Sequence, residues 1–134
     1  MKKIIIGLVI IFYMQLALAN TNSSLYPNEE VKQFAGAETL TYFLKGAPQK
    51  PLIIFVPGDS HLARIAYGYP QGNEKDFLAF WINKKGYSFL GLSYPLANPV
   101  YQNKYPEFNI HNWGEQIIQT AEYFIKKNHL SRVC

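Results

Sequence analysis

The chain has 134 residues, 49 % of them hydrophobic and 16 % aromatic, a composition that excludes a disordered segment and fits one globular domain. Its formal charge of +4 comes from lysines and arginines scattered among apolar and acidic residues, so the concentrated basic face of a nucleic-acid binder is missing. One cysteine, Cys134, excludes an internal disulfide, and three separated histidines give no metal spacing, so neither a metal nor another cofactor is expected.

Met1-Lys2-Lys3 opens the chain with positive charge, Ile4 to Met14 is apolar throughout, and Ala17-Leu18-Ala19 supplies small residues. This pattern predicts a signal peptide over residues 1–19, cleaved before Asn20, and hence an exported, periplasmic or secreted protein. The apolar run falls short of the ~20 residues of a spanning helix and is broken by Gln15, so no stable membrane span is expected after cleavage. Loss of Lys2 and Lys3 lowers the formal charge from +4 to +2.

Residues 20–38 read as a leader, polar from Asn20 to Asn28. Thr39 to Leu44 is rich in β-formers and predicts a strand, and Lys45 to Pro51 must turn. Leu52 to Val56 is apolar at every position, which predicts a central strand covered on both faces and ended by Pro57-Gly58. Asn73 caps a helix with Glu74 and Asp76 at its positive end. Phe77, Phe80 and Trp81 form its apolar face, and Lys84-Lys85-Gly86 closes it. Tyr87 to Leu92 is the next strand, expected to run parallel to Leu52–Val56.

After a loop from Leu96 to Ile110, Asn112 and Glu115 suggest a capping box. Trp113, Ile117, Ala121 and Phe124 then trace one helical stripe that ends at Lys126-Lys127-Asn128. Leu130 to Cys134 reads as the start of another strand, with Cys134 a small buried hydrophobe. Strands alternating with helices predict the α/β class: an incomplete three-layer sandwich, its sheet mostly parallel, with helices on both faces.

Phe55-Val56-Pro57-Gly58-Asp59-Ser60-His61 places a tight turn after an apolar strand, and the elements around Asp76–Trp81, Gly86–Pro95, Trp113–Gln116 and Leu130–Val133 follow in order. In that order, residues 39–134 resemble the N-terminal half of the α/β-hydrolase family. The resemblance implies an exported serine hydrolase of the esterase or acyl-hydrolase type, acting on a small-molecule ester or lipid-like substrate. It implies serine attack and a tetrahedral intermediate held by backbone N–H groups. It also implies that the turn Gly58, Asp59, Ser60 forms part of the oxyanion hole, with the N–H of Asp59 as donor and Ser60 as neighbour.

Two departures accompany the likeness. Pro57 stands where many members carry histidine, and the chain contains no G-x-S-x-G. The family places that nucleophile elbow on the strand after the helix assigned here to Asn112–Lys127, and its acid and histidine follow later. His61, His111 and His129 therefore do not map onto the catalytic histidine, nor Asp59 and Asp76 onto the acid. No catalytic residue is assigned in this chain, which is expected to be inactive alone and to stop short of the elbow.

Other readings compete. Gly58-Asp59-Ser60 also resembles the GDSL esterases, with Ser60 as nucleophile, although the following residue is His61 instead of leucine and no Gly-x-Asn-Asp follows. Tyr67, Tyr69, Tyr94, Tyr101 and Tyr105 lie in irregular segments, where they either line a substrate cleft or pack with wet hydroxyls. Arg64 is a solvated cation or the partner of an acidic substrate group. An exported binding protein without catalysis is the alternative from another class.

Overall fold

In the computed structural model the described residues are 25–58 and 60–131; the signal-like segment, Asp59 and the residues after Ser131 lie outside them. Strand β1 (Glu29–Phe34) turns into β2 (Ala37–Leu44), and β3 (Leu52–Phe55) follows. Helix α1 (Arg64–Tyr67), a 3-10 turn at Glu74–Asp76 and helix α2 (Leu78–Lys84) lead to β4 (Ser88–Ser93), and α3 (Ile110–Asn128) comes last. The four strands form one sheet in the order β1-β2-β4-β3.

The sheet corrects the expected fold class. β1 pairs antiparallel with β2, with Val31 opposite Leu40, and β2 pairs antiparallel with β4, with Leu40 opposite Ser93. Only β3 and β4 run parallel, with Leu52 beside Ser88 and Phe55 beside Gly91. Two of the three pairings are thus antiparallel, and the fold is α+β instead of a mostly parallel α/β sandwich. One antiparallel pairing is that of β2, which the sequence announces as a strand, with β4; the other comes from β1, which lies within the segment read as leader. Its sequence EEVKQF is too polar to announce a strand, because its residues are half-buried or exposed. The hairpin is equally muted. Ala35 and Gly36 both have positive φ, 50° and 77°, as a two-residue type I′ turn requires. Alanine there lacks the Asn-Gly signature that marks such turns in a sequence.

β3 is likewise an outer strand of the described sheet, not a central one. Leu52 is buried while Ile53, Ile54 and Phe55 are half-buried. An unbroken apolar run records cover above and below a strand; it carries no information about a lateral neighbour.

The core divides by strand alternation. On one face Leu52 and Leu90 pack with Phe124 and Leu130, flanked by Phe43, Ile54 and Ile125 of β2, β3 and α3. On the other, Phe89 packs with Ala66 of α1 and Ala79 of α2, flanked by Tyr42, Leu44 and Phe55. Each large side chain buried in this way contributes about 1.5–3 kcal/mol. Close approach explains Gly46: a Cβ there would lie 2.3 Å from the carbonyl carbon of Tyr87, so only glycine lets the loop lie against β4.

Helix boundaries follow local chemistry. Asn73 does cap, accepting from the Lys75 N–H, but what it caps is the 3-10 turn; Phe77 is extended and α2 begins afresh at Leu78. Gly86 takes φ 85° and stops that segment as anticipated. α3 starts earlier than its sequence suggests. Asn109 is the N-cap, accepting from His111 and Asn112, and the Asn112 side chain returns the bond to the Asn109 N–H. Asn112 is therefore the third helical residue of a capping box and not its cap. Leu130 and Ser131 are not in a strand, and the remainder of that expected strand lies outside the described residues. No helix among the described residues is long and apolar enough to cross a membrane.

Candidate functional site

The carboxyl ends of the parallel pair β3 and β4 lie side by side, and the turn after β3 is fastened there. Pro57 is buried, Gly58 is exposed, and Ser60 takes φ 64°. The Tyr94 hydroxyl, just past β4, donates to the Gly58 carbonyl at 3.1 Å and accepts from the Ser60 N–H at 3.1 Å. One phenol therefore ties both sides of the turn, and this fixes Ser60 in a left-handed conformation that costs an ordinary residue about 1–3 kcal/mol. Gly58 has no left-handed φ, and a Cβ on it would meet nothing within 4 Å. Among the described residues neither conformation nor packing demands glycine there, and none of them crowds its backbone.

The surroundings hold Tyr94 firmly. Its ring lies 4.6 Å from the Trp113 ring at the start of α3 and stacks at 8° on Phe108. The Tyr101 hydroxyl donates to the Ser93 and Tyr94 carbonyls, and burial pushes its phenol pKa up. The Ser93 hydroxyl accepts from the Ala63 N–H at 2.8 Å, which anchors the chain leaving the turn. Among the described residues the Trp113 indole N–H is buried without an acceptor. That orphan donor beside Tyr94 has no counterpart in the sequence reading, where Trp113 belonged to a packing stripe.

Behind the turn a buried carboxylate organises α1. The Glu29 side chain is fully shielded and receives Arg64 Nε at 2.8 Å, Arg64 Nη2 at 2.7 Å and the Tyr67 hydroxyl at 2.6 Å. It also accepts from the Tyr26 N–H at 2.7 Å, and the Tyr26 ring lies 3.7 Å beneath the guanidinium. The bond to Glu29 raises the Arg64 pKa, and burial followed by that same carboxylate drives the Tyr67 phenol far above its ordinary value. Arg64 is thus a structural partner of β1, neither solvated nor reserved for an acidic substrate. Glu29 was hidden in the supposed leader; its one sequence signal is an acidic residue heading a β-alternation.

A second buried carboxylate, Glu38, accepts the backbone N–H groups of Gln102 and Asn103 at 2.9–3.2 Å and holds the loop before α3. The tyrosines from irregular segments divide. Tyr94 and Tyr101 are structural, Tyr105 accepts from Gln33, and Tyr67 and Tyr69 line a cavity on the α2 side.

The structure brings Gly58 and Ser60 together at the strand ends, and Asp59 lies outside the described residues. The Ser60 N–H is committed to Tyr94, which removes it as an oxyanion donor. His61, His111 and His129 are exposed, and among the described residues none bonds the Ser60 hydroxyl. No three metal-ligating side chains converge among the described residues. No family model, curated protein or solved structure matches the chain. The class that the coordinates define is an α+β domain with a pinned backbone turn at the carboxyl end of its parallel strand pair.

Proposed function

We propose that this chain supplies the oxyanion side of an exported serine acyl hydrolase, working with a nucleophile, acid and histidine that the described residues do not provide. One observation carries this reading. A glycine that neither its φ nor its neighbours among the described residues require stands exposed, and Tyr94 holds both Gly58 and Ser60. Backbone held in place with an open flank suits an oxyanion site, because preorganised donors cost no reorganisation when negative charge develops. Each such donor is worth about 2.7–4 kcal/mol of transition-state stabilisation. The donor in this reading is the N–H of Asp59, the role that the α/β-hydrolase resemblance implies for the residue after Gly58.

The substrate class is a small-molecule ester or a lipid-like acyl compound. Export rests on residues 1–19, and N-terminal sequencing of secreted material should begin at Asn20. Retained Lys2 and Lys3 would contradict export by this route.

The catalytic part of the reading is tested with a fluorophosphonate, which labels activated serines. The 134-residue chain alone should neither take up the probe nor hydrolyse nitrophenyl esters above a heat-treated control. Stoichiometric labelling that disappears in Ser60→Ala would instead make Ser60 the nucleophile and overturn the proposal.

A further inference from the structure

On the α2 side of the sheet, away from the strand-end turn, lies a cavity of about 440 Å³, within the ~300–1,000 Å³ range of small-molecule sites. Leu44, Ala79 and Phe80 supply its apolar wall, and Tyr67 lies face to face with Tyr42 at 3.9 Å and 4°. Its polar groups come from separate elements: Asn28 before β1, Tyr42 on β2, Glu74 in the 3-10 turn, and Asn83 and Lys84 at the end of α2.

These groups are arranged unusually. Asn28 sits at φ 66° and lines the cavity beside Tyr42 and Glu74. Asn83 spends both amide hydrogens on the Lys45 and Tyr87 carbonyls, so only its acceptor oxygen is left for an occupant. Lys84 is held at the rim over the Phe80 and Trp81 rings at 5.7 and 5.2 Å. The lining thus interleaves acceptors, Glu74 and the Asn83 oxygen, with donors, Lys84 and the Asn28 amide, around an apolar wall.

We propose that this cavity binds an uncharged polyhydroxylated ring, a monosaccharide or cyclitol, through Asn28, Tyr42, Glu74, Asn83 and Lys84. Each ring hydroxyl both donates and accepts, which matches the alternating lining. The C–H face of such a ring suits Phe80 and the aliphatic wall. An anionic ligand would meet Glu74, a cationic one Lys84, and a wholly apolar one would satisfy none of the donors and acceptors in the lining. A second cavity of about 130 Å³ shares Asn28, Tyr42 and Tyr67 with the first and is bordered by the exposed Tyr69.

The test is a two-dimensional amide NMR titration of the full 134-residue chain with D-glucose, D-galactose, D-mannose and myo-inositol, and with sodium acetate and glycine as charged controls. Concentrations should reach about 50 mM, because a few hydrogen bonds to a solvated polyol imply a Kd on the order of 1 mM. At least one neutral probe should saturate, with shifts centred on Asn28, Tyr42, Glu74 and Asn83. Tyr42→Phe, which keeps the aromatic stack, and Glu74→Ala, which alters an exposed turn, should each weaken binding by about tenfold, the worth of one hydrogen bond. Spectral dispersion equal to that of the parent verifies that both variants fold. The proposal fails if no neutral probe saturates these amides, if acetate or glycine does so instead, or if both folded variants bind as the parent does.

Discussion

Replacing Glu29 by alanine should be among the most damaging single changes in this chain. Its carboxylate is fully shielded, and Arg64 retains only 20 % of its side-chain exposure. The substitution removes the two bonds from the guanidinium to Glu29, the acceptor of the Tyr67 hydroxyl and the acceptor of the Tyr26 N–H at once. Taking one partner from a buried ion pair costs about 3–5 kcal/mol, chiefly because the remaining charge has lost that carboxylate. Domains have about 5–15 kcal/mol in total, so the variant should sit near the edge of folding. With a urea m-value of about 1–2 kcal/mol/M, the unfolding midpoint should fall by roughly 1.5–5 M at unchanged slope. The double variant Glu29→Met with Arg64→Met, which removes both charges, should regain part of that loss. A midpoint for Glu29→Ala within about 0.5 M of the parent would show that the pair does not hold α1 to β1, and the reasoning would fail.

Tyr94→Phe should accelerate hydrogen exchange at the Ser60 amide while lowering global stability by only about 1 kcal/mol, because the turn it ties is exposed to water; unchanged exchange would refute the clamp. Alkaline titration tests the buried phenols. Tyr67 and Tyr101 have pKa values raised in the folded state, so their stabilising contribution is complete below the unfolded value of about 10 and declines as pH rises above it. Stability followed by urea melts should therefore fall above about pH 10, and less steeply in Tyr67→Phe; a flat profile would contradict their burial. Gly46→Ala should destabilise by more than 1 kcal/mol, on the order of an overpacked core site, whereas Gly58→Ala should be neutral or stabilise by about 0.4–1 kcal/mol. Equal thermal shifts for the two would show that the contact at Gly46 is not as close as described.

Much of the local structure was legible in the chain. The stop at Gly86 follows from chemistry that acts over a few residues, as does capping by Asn73, although it closes a 3-10 turn and not the helix expected there. The parallel pairing of Leu52–Phe55 with Ser88–Ser93 follows from the strand-helix-strand order. The Ala121 and Phe124 stripe also emerged, although its neighbours Gln116 and Thr120, polar yet fully buried, did not announce themselves. What escaped was long-range. Nothing in EEVKQF reveals that Glu29 will be neutralised by Arg64, 35 residues later, and so can head a strand. β1 adds one of the two antiparallel pairings, and the direction of β2 beside β4 supplies the other. The site was partly visible for the same reason. Gly58 and Ser60 stand out as a turn, but their tie to Tyr94 depends on two strands meeting side by side.

The most direct test of the central claim is an amide NMR titration of the 134-residue chain with methylphosphonate, a stable tetrahedral oxyanion. The account predicts saturable shifts centred on the amides of Gly58 to Ser60 that weaken in Tyr94→Phe, where the clamp on the turn is lost. No shift at these amides, or equal binding by Tyr94→Phe, would contradict the assignment of the Gly58 turn to an oxyanion site.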